Sequence, residues 1–141
     1  MRRTSIAVDI SVPNCARYLG LVGNIAECLV RDLEVHAGDP EQLAFHLNLV
    51  LTEAAGNAIR HGSPSATDTV LRVCIEISEA DVCLRVFDHG AGFDLDTLEA
   101  PDPLALDEGG RGIMVIRSLM DSVVYRRTDD GNVLEMRKRL T

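Results

Sequence analysis

Residues 70–88 restrict the fold more than any other stretch. Two runs of alternating apolar side chains, Val70 to Ile77 and Asp81 to Asp88, meet at the short polar segment SEAD, Ser78 to Asp81. Strands joined by so short a loop pair as an antiparallel hairpin. Val73, Ile75 and Ile77 share one face of the first strand, and Val82, Leu84 and Val86 share one face of the second. Asp88 falls in phase with that apolar set, whereas Cys83, Arg85 and Phe87 point the other way. If the apolar face turns inward, Asp88 turns inward with it. A buried carboxylate is costly without donors, which a backbone N–H, a nearby arginine or a ligand could supply. Gly90 and Gly92 follow at once, a pairing that serves a plain turn as readily as a binding loop.

The rest of the chain supplies what covers such a sheet. Ile6, Val8, Ile10 and Val12 alternate and predict an opening strand. After Pro13 and Asn14, the residues Tyr18, Val22, Ile25, Leu29 and Leu33 recur at helical spacing to about His36, where AGDP breaks the pattern. Asp39 then reads as an N-cap, with Pro40 opening a second helix to His61. Its stripe is Leu43, Leu47, Val50, Leu51, Ala54 and Ala58. Beyond the hairpin, Phe93 to Glu108 has the prolines and acids of a surface loop. A short helix from Gly112 to about Met120 and a closing hairpin, Val123 to Arg127 with Val133 to Arg139, complete the order. The expectation is an α+β fold: a two-layer α/β sandwich with a mainly antiparallel, mixed sheet and helices on one face.

At 141 residues the chain reads as one domain spanning 1–141. No apolar run approaches the roughly 20 residues that cross a bilayer. The opening MRRTSIAVDISVPN lacks a signal-like apolar core, so the expectation is a cytoplasmic protein with no membrane contact. Cys15, Cys28, Cys74 and Cys83 form no CxxC pair and no zinc-type spacing with histidine. A net charge of −8 argues against direct nucleic-acid binding, which needs basic surface to replace counterions. It suits a basic protein partner.

Polar residues at the edges of this scheme are the candidates for chemistry. Glu53 and Asn57 stand four apart on the second helix and are neighbours on its surface, bordering the apolar stripe without entering it. That arrangement fits a pocket wall, or simply a solvated helix face. The segment EGGRGI, Glu108 to Ile113, places glycines and Arg111 at a helix start, where free N–H groups favour phosphate. The same glycines could merely hinge the loop. His61 and His89 flank these segments, and His36 and His46 lie on predicted helices without a catalytic partner.

Taken in order, LTEAAGNAIRHG (Leu51 to Gly62), DHGAGFD (Asp88 to Asp94) and GGRGI (Gly109 to Ile113) resemble three motifs of one family. These are the N box and the two glycine boxes of the ATP-binding fold shared by gyrase, histidine kinases and MutL, the GHKL or Bergerat fold. The likeness is strongest to the small bacterial anti-sigma factor serine/threonine-protein kinases, and it covers nearly the whole chain. It implies ATP and Mg²⁺ as cofactors, with Asn57 holding the metal and Asp88 accepting the adenine amine. It further implies that Gly90 and Gly92 let backbone approach the base, that Gly110, Arg111 and Gly112 contact phosphate, and that Glu53 is the general base. A lid over the nucleotide is expected at about 94–110, although its Asp94, Asp96, Glu99, Asp102, Asp107 and Glu108 carry no offsetting Lys or Arg until Arg111.

The partners implied by the resemblance are a sigma factor and a small STAS-type anti-sigma antagonist, which the kinase phosphorylates; a homodimer is implied as well. Two alternatives stand beside it: a non-catalytic module that switches partners with ATP as a structural ligand, and a related kinase serving another pathway. Retention of both Glu53 and Asn57 favours chemistry over the first alternative.

Overall fold

The computed structural model describes residues 5–32, 38–61, 70–88, 108–128 and 131–140, with the backbone alone at 61 and 108–111. The alternating runs form strands β1 (Ile6–Pro13), β2 (Val70–Ile77), β3 (Asp81–Asp88), β4 (Ser122–Thr128) and β5 (Gly131–Arg139). The helical stripes form α1 (Leu19–Asp32), α2 (Pro40–His61) and α3 (Glu108–Leu119). A single 3₁₀ turn, Ala16–Tyr18, precedes α1.

The strands make one five-stranded sheet in the order β1-β2-β3-β5-β4. Every pairing is antiparallel, so none of the mixed character expected in the sheet is seen among the described residues. Register aligns Val73 with Val86 and Val86 with Leu134, which puts the in-phase apolar side chains of β2, β3 and β5 on one surface. The helices cover that surface: α2 lies against β2 and β3, α1 packs along α2, and α3 packs on α2 and β4. Leu47, Leu51, Ile75, Leu84, Ile113, Ile116 and Met136 are fully buried between the layers. Each such side chain contributes about 1.5–3 kcal/mol by leaving water.

Local chemistry sets the helix ends. Asp39 caps α2, its Oδ1 accepting from the Glu41 N–H at 3.0 Å, and Pro40 needs no donor at the first helical position. Along α1 and α2, Gly23 is required by close approach, because a Cβ there would run into the Asn48 side chain. The Asn48 amide donates to Glu27 at 3.0 Å and so ties the two helices together.

Two helix starts differ from expectation. The first helix begins in earnest only at Leu19, since Ala16–Tyr18 winds as a tighter 3₁₀ turn. The last begins at Glu108 rather than Gly112, so positions 108–110 of the expected lid are helical. An acidic residue favours the positive end of a helix, and glycine costs least in the open first turn. Residues 94–107 of that lid, and the end of the first helical pattern at His36, lie outside the described residues.

The other sheet surface carries no helix among the described residues. Arg85 bridges Glu76 at 2.7 Å and Glu135 at 3.0 Å, and Arg126 and Arg137 also reach Glu135. No helix among the described residues is long and apolar enough to cross a membrane. Cys15, Cys28, Cys74 and Cys83 are all free thiols. Burial, followed by the hydrogen bond to Asp9, pushes the Cys74 thiol up to about 11.

Candidate functional site

Helix α2 carries Glu53 and Asn57 on adjacent turns of one face, beneath α3. Glu53 is half-buried, but Asn57 is fully buried rather than bordering the core as its sequence position suggests. The reason is tertiary: α2 packs against α1, α3, β2 and β3 at once, so its buried face is wider than its apolar stripe alone suggests.

The Asn57 side chain is held at one end and open at the other. Its Oδ1 accepts from the Arg60 guanidinium one turn on, while its buried Nδ2 has no hydrogen-bond partner among the described residues. A buried, unmade amide bond costs about 1–3 kcal/mol, so an acceptor at this point would relieve a standing penalty. The oxygen already faces a cationic group. One carbonyl oxygen turned towards positive charge, with an N–H available to an anion, suits a metal–polyphosphate pair.

Asp88 ends β3, the middle strand, and is only 6% exposed, pointing to the helix side as its phase predicts. Its Oδ1 accepts from the Asn132 amide at 2.8 Å, and its Oδ2 accepts from the Tyr125 hydroxyl at 3.2 Å. These donors supply part of what the buried carboxylate requires, and they fix its plane. A carboxylate has about four acceptor positions, so it can serve more than one donor at once. Neither Tyr125 nor Asn132 stands out in the sequence. The signal that finds them is register: Asn132 lies opposite Asp88 across β3 and β5, and Tyr125 lies on β4 beyond Leu134.

Gly112 meets the site from the α3 side. A Cβ placed on it would come within 2.6 Å of Glu53 Oε2, so the second glycine motif rests directly on the carboxylate of the first helix motif. Glu53, Asn57 and Gly112 are therefore brought together where α2 and α3 pack, and Asp88 stands at a strand end on the same helix-covered side of the sheet. Of the other expected site residues, Gly110 and Arg111 lie in the first turn of α3 with backbone alone described. Gly90, Gly92 and His89 lie outside the described residues, as does the side chain of His61. His46 is half-buried with its ring 6.1 Å from that of Phe45, away from these groups.

A separate hollow of about 240 Å³ lies at the same end of the sheet, lined by Arg72, Phe87, Thr128 and Val133 as well as Asp88 and Asn132. Phe87 and Val133 belong to the opposite strand phase from Asp88, so this hollow opens on the helix-free surface and includes neither Glu53 nor Asn57. No group of three or more His, Cys, Asp or Glu suited to a metal occurs among the described residues. A single amide oxygen completed by phosphates and water does not call for one.

A family profile described as the histidine kinase-like ATPase domain matches residues 15–138. The chain belongs to that family. Within it, the chain is 32% identical over 101 residues to an anti-sigma F factor of Anoxybacillus flavithermus, covering 67% of this chain and 68% of that protein. It is 28% identical over 99 residues to the serine/threonine-protein kinase BtrW of Bordetella bronchiseptica, covering 67% and 70%. Among solved structures, the SiaB–SiaC complex from Pseudomonas aeruginosa contains a chain that superposes with a TM-score of 0.59 at 13% identity, over 94% of this chain and 89% of that one. At that identity the likeness shows a shared fold alone.

Proposed function

We propose that this chain is an ATP-dependent protein serine/threonine kinase of the anti-sigma type, acting as a single domain. It binds a sigma factor and phosphorylates a small STAS-type antagonist in the cytoplasm, as a homodimer with a nucleotide lid at about 94–110. The observation that carries this reading is the buried, half-satisfied Asn57 amide, one turn from Glu53. A core that only had to fold would have no use for that open donor. The names of the relatives support the protein-kinase and anti-sigma parts of the reading.

The residues divide the work by their chemistry. Asp88, oriented by Asn132 and Tyr125, accepts the exocyclic amine of adenine, with Gly90 and Gly92 giving the base room. Asn57 would hold Mg²⁺ through Oδ1, and the metal would offset charge on the triphosphate. Arg60, which now occupies that oxygen, is a cation able to turn towards phosphate instead, while Gly110 and Arg111 lie at the anion-favouring start of α3. An acceptor hydroxyl attacks the γ-phosphorus; the new O–P bond forms as the bond to the β–γ bridging oxygen breaks. ADP leaves with that electron pair, and the hydroxyl proton passes to the Glu53 carboxylate.

The test is intact-mass spectrometry of an antagonist protein captured on this chain and incubated with Mg-ATP, with Glu53→Ala as control. One added phosphate with wild type and none with the variant is the expected result. An unmodified partner in the presence of bound ATP would replace the kinase reading with the non-catalytic switch.

A further inference from the structure

We infer that the outward face of α2 ahead of Glu53, built on Phe45 and Leu49, is where the protein carrying the acceptor hydroxyl docks, seating an apolar side chain about 12 Å from the group to be phosphorylated. The inference rests on the kinase reading and names what that kinase grips. Phe45, Leu49 and Glu53 are spaced four apart, so they follow one another up one side of the helix and span the stated distance. Phe45 is 61% exposed, more than any other large apolar side chain among the described residues. Leu49 is half-buried, but it is not one of the apolar side chains packed on the core.

The outer side of a surface helix is ordinarily charged. From Gln42 to Thr52, however, α2 carries no Asp, Glu, Lys or Arg, although the chain as a whole is 26% charged. The charge just before this stretch is already met, because Glu41 accepts two hydrogen bonds from Arg31 of α1. The polar groups beside Phe45 are engaged as well: Asn48 donates to Glu27, and its Oδ1 accepts from the Thr52 hydroxyl. Phe45 and Leu49 neither serve the core nor pair with charge. An exposed aromatic group in neutral surroundings is the kind of feature that an apolar side chain of a partner covers.

The position of Glu53 selects the occupant. Helix α3 closes one flank of it, since a Cβ on Gly112 would meet the Glu53 carboxylate. Helix α1 lies along the other flank of α2, where Gly23 meets Asn48 and Thr52, and β2 and β3 lie beneath. Among the described residues the outward side is the approach left to an acceptor hydroxyl. A protein that reaches Glu53 from there lies over Leu49 and Phe45 on the preceding turns. An acidic segment would meet Glu53 and a chain of net charge −8, so the segment that seats here is apolar and uncharged.

The experiment takes as its probe the antagonist protein that wild type phosphorylates, and measures KM and kcat for it in Phe45→Ser, with Mg-ATP affinity by calorimetry. The substituted side chain is exposed, so folding is little affected. Loss of a central aromatic contact should raise KM about 10-fold or more, with kcat and Mg-ATP affinity changed less than about threefold. Val124→Ser, the same kind of change at an exposed apolar side chain of the helix-free surface, should leave KM as it is. In a second measurement, photoreactive benzoylphenylalanine in place of Phe45 should crosslink to the antagonist, at an apolar side chain near the phosphorylated residue. An unchanged KM in Phe45→Ser, an equal rise in Val124→Ser, or a crosslink found only on a second copy of this chain would each overturn the inference. No phosphate transfer by wild type would remove the kinase reading and this inference with it, whereas transfer with an unchanged KM in Phe45→Ser would remove the docking surface alone.

Discussion

The two surfaces of the sheet treat polar groups in opposite ways. On the helix-free surface, Arg85, Arg126 and Arg137 converge on Glu135, and Arg85 also takes Glu76, so charges on neighbouring strands satisfy one another. On the helix-covered side, Asn57, Asp88 and Asn132 are buried, and Asn57 keeps an amide hydrogen with no acceptor among the described residues. The contrast separates polar residues that hold the fold from those held ready by it. A group whose bonding is completed within the protein has little left to offer a ligand.

Four variants would sharpen or break that contrast. Asn57→Leu is expected to fold with little loss of stability, because it removes an unsatisfied amide from an apolar setting. Nucleotide at 100 times its dissociation constant should raise wild-type unfolding free energy by about 2.7 kcal/mol, and the variant should lose that gain. Thermal unfolding with and without Mg-ATP checks both, and a retained nucleotide shift would place the ligand elsewhere. Next in size, Asp88→Asn should weaken ATP about 10- to 100-fold, the value of a hydrogen bond to a charged group. Its effect on folding should be smaller, since the Tyr125 hydroxyl can reverse and accept from the new amide.

Tyr125→Phe removes one donor to that carboxylate and leaves Asn132 in place. A loss of about 2- to 10-fold in ATP affinity is expected, measured by calorimetry. Unchanged affinity would mean that Asp88 is oriented without Tyr125. The smallest effect belongs to the helix-free surface. Burial raises the Glu135 pKa, but hydrogen bonds from Arg85 and Arg137 outweigh it and hold the group below its ordinary value. A depressed folded-state pKa adds stability that is complete above the unfolded value of about 4.3 and disappears as pH falls through the folded value. Glu135→Gln should therefore cost about 1 kcal/mol at neutral pH, less towards pH 3, and nothing in ATP affinity; urea titrations at both pH values test this.

Local patterns carried the fold as far as local physics determines it. Helix α2 runs from Pro40 to His61 and β2 and β3 span Val70–Ile77 and Asp81–Asp88, as periodicity and the Asp39 cap predict. The inward phase of Asp88 was legible for the same reason, because side-chain direction in a strand alternates strictly. The partners of Asp88 were not, since Asn132 and Tyr125 reach it only through the β3-β5-β4 strand order, which no short window encodes. The full burial of Asn57 likewise depends on how the other elements pack on α2, and the contact of Gly112 with Glu53 on how α3 meets α2. At the start of α3, a glycine-rich segment reads as loop by propensity, yet its first turn is helical from Glu108.

β3 is the middle strand, paired with β2 from Val82 to Phe87 and with β5 from Asp81 to Asp88, so Asp88 stands at the margin of the part of the molecule expected to open last. The first turn of α3 belongs to the opposite class, a helix end that opens at little cost. A nucleotide bound across the two would have its base end seated in a slow region and its phosphate end in a fast one. Its escape would then begin at the phosphates, and residence time could be altered from α3 without disturbing base selectivity.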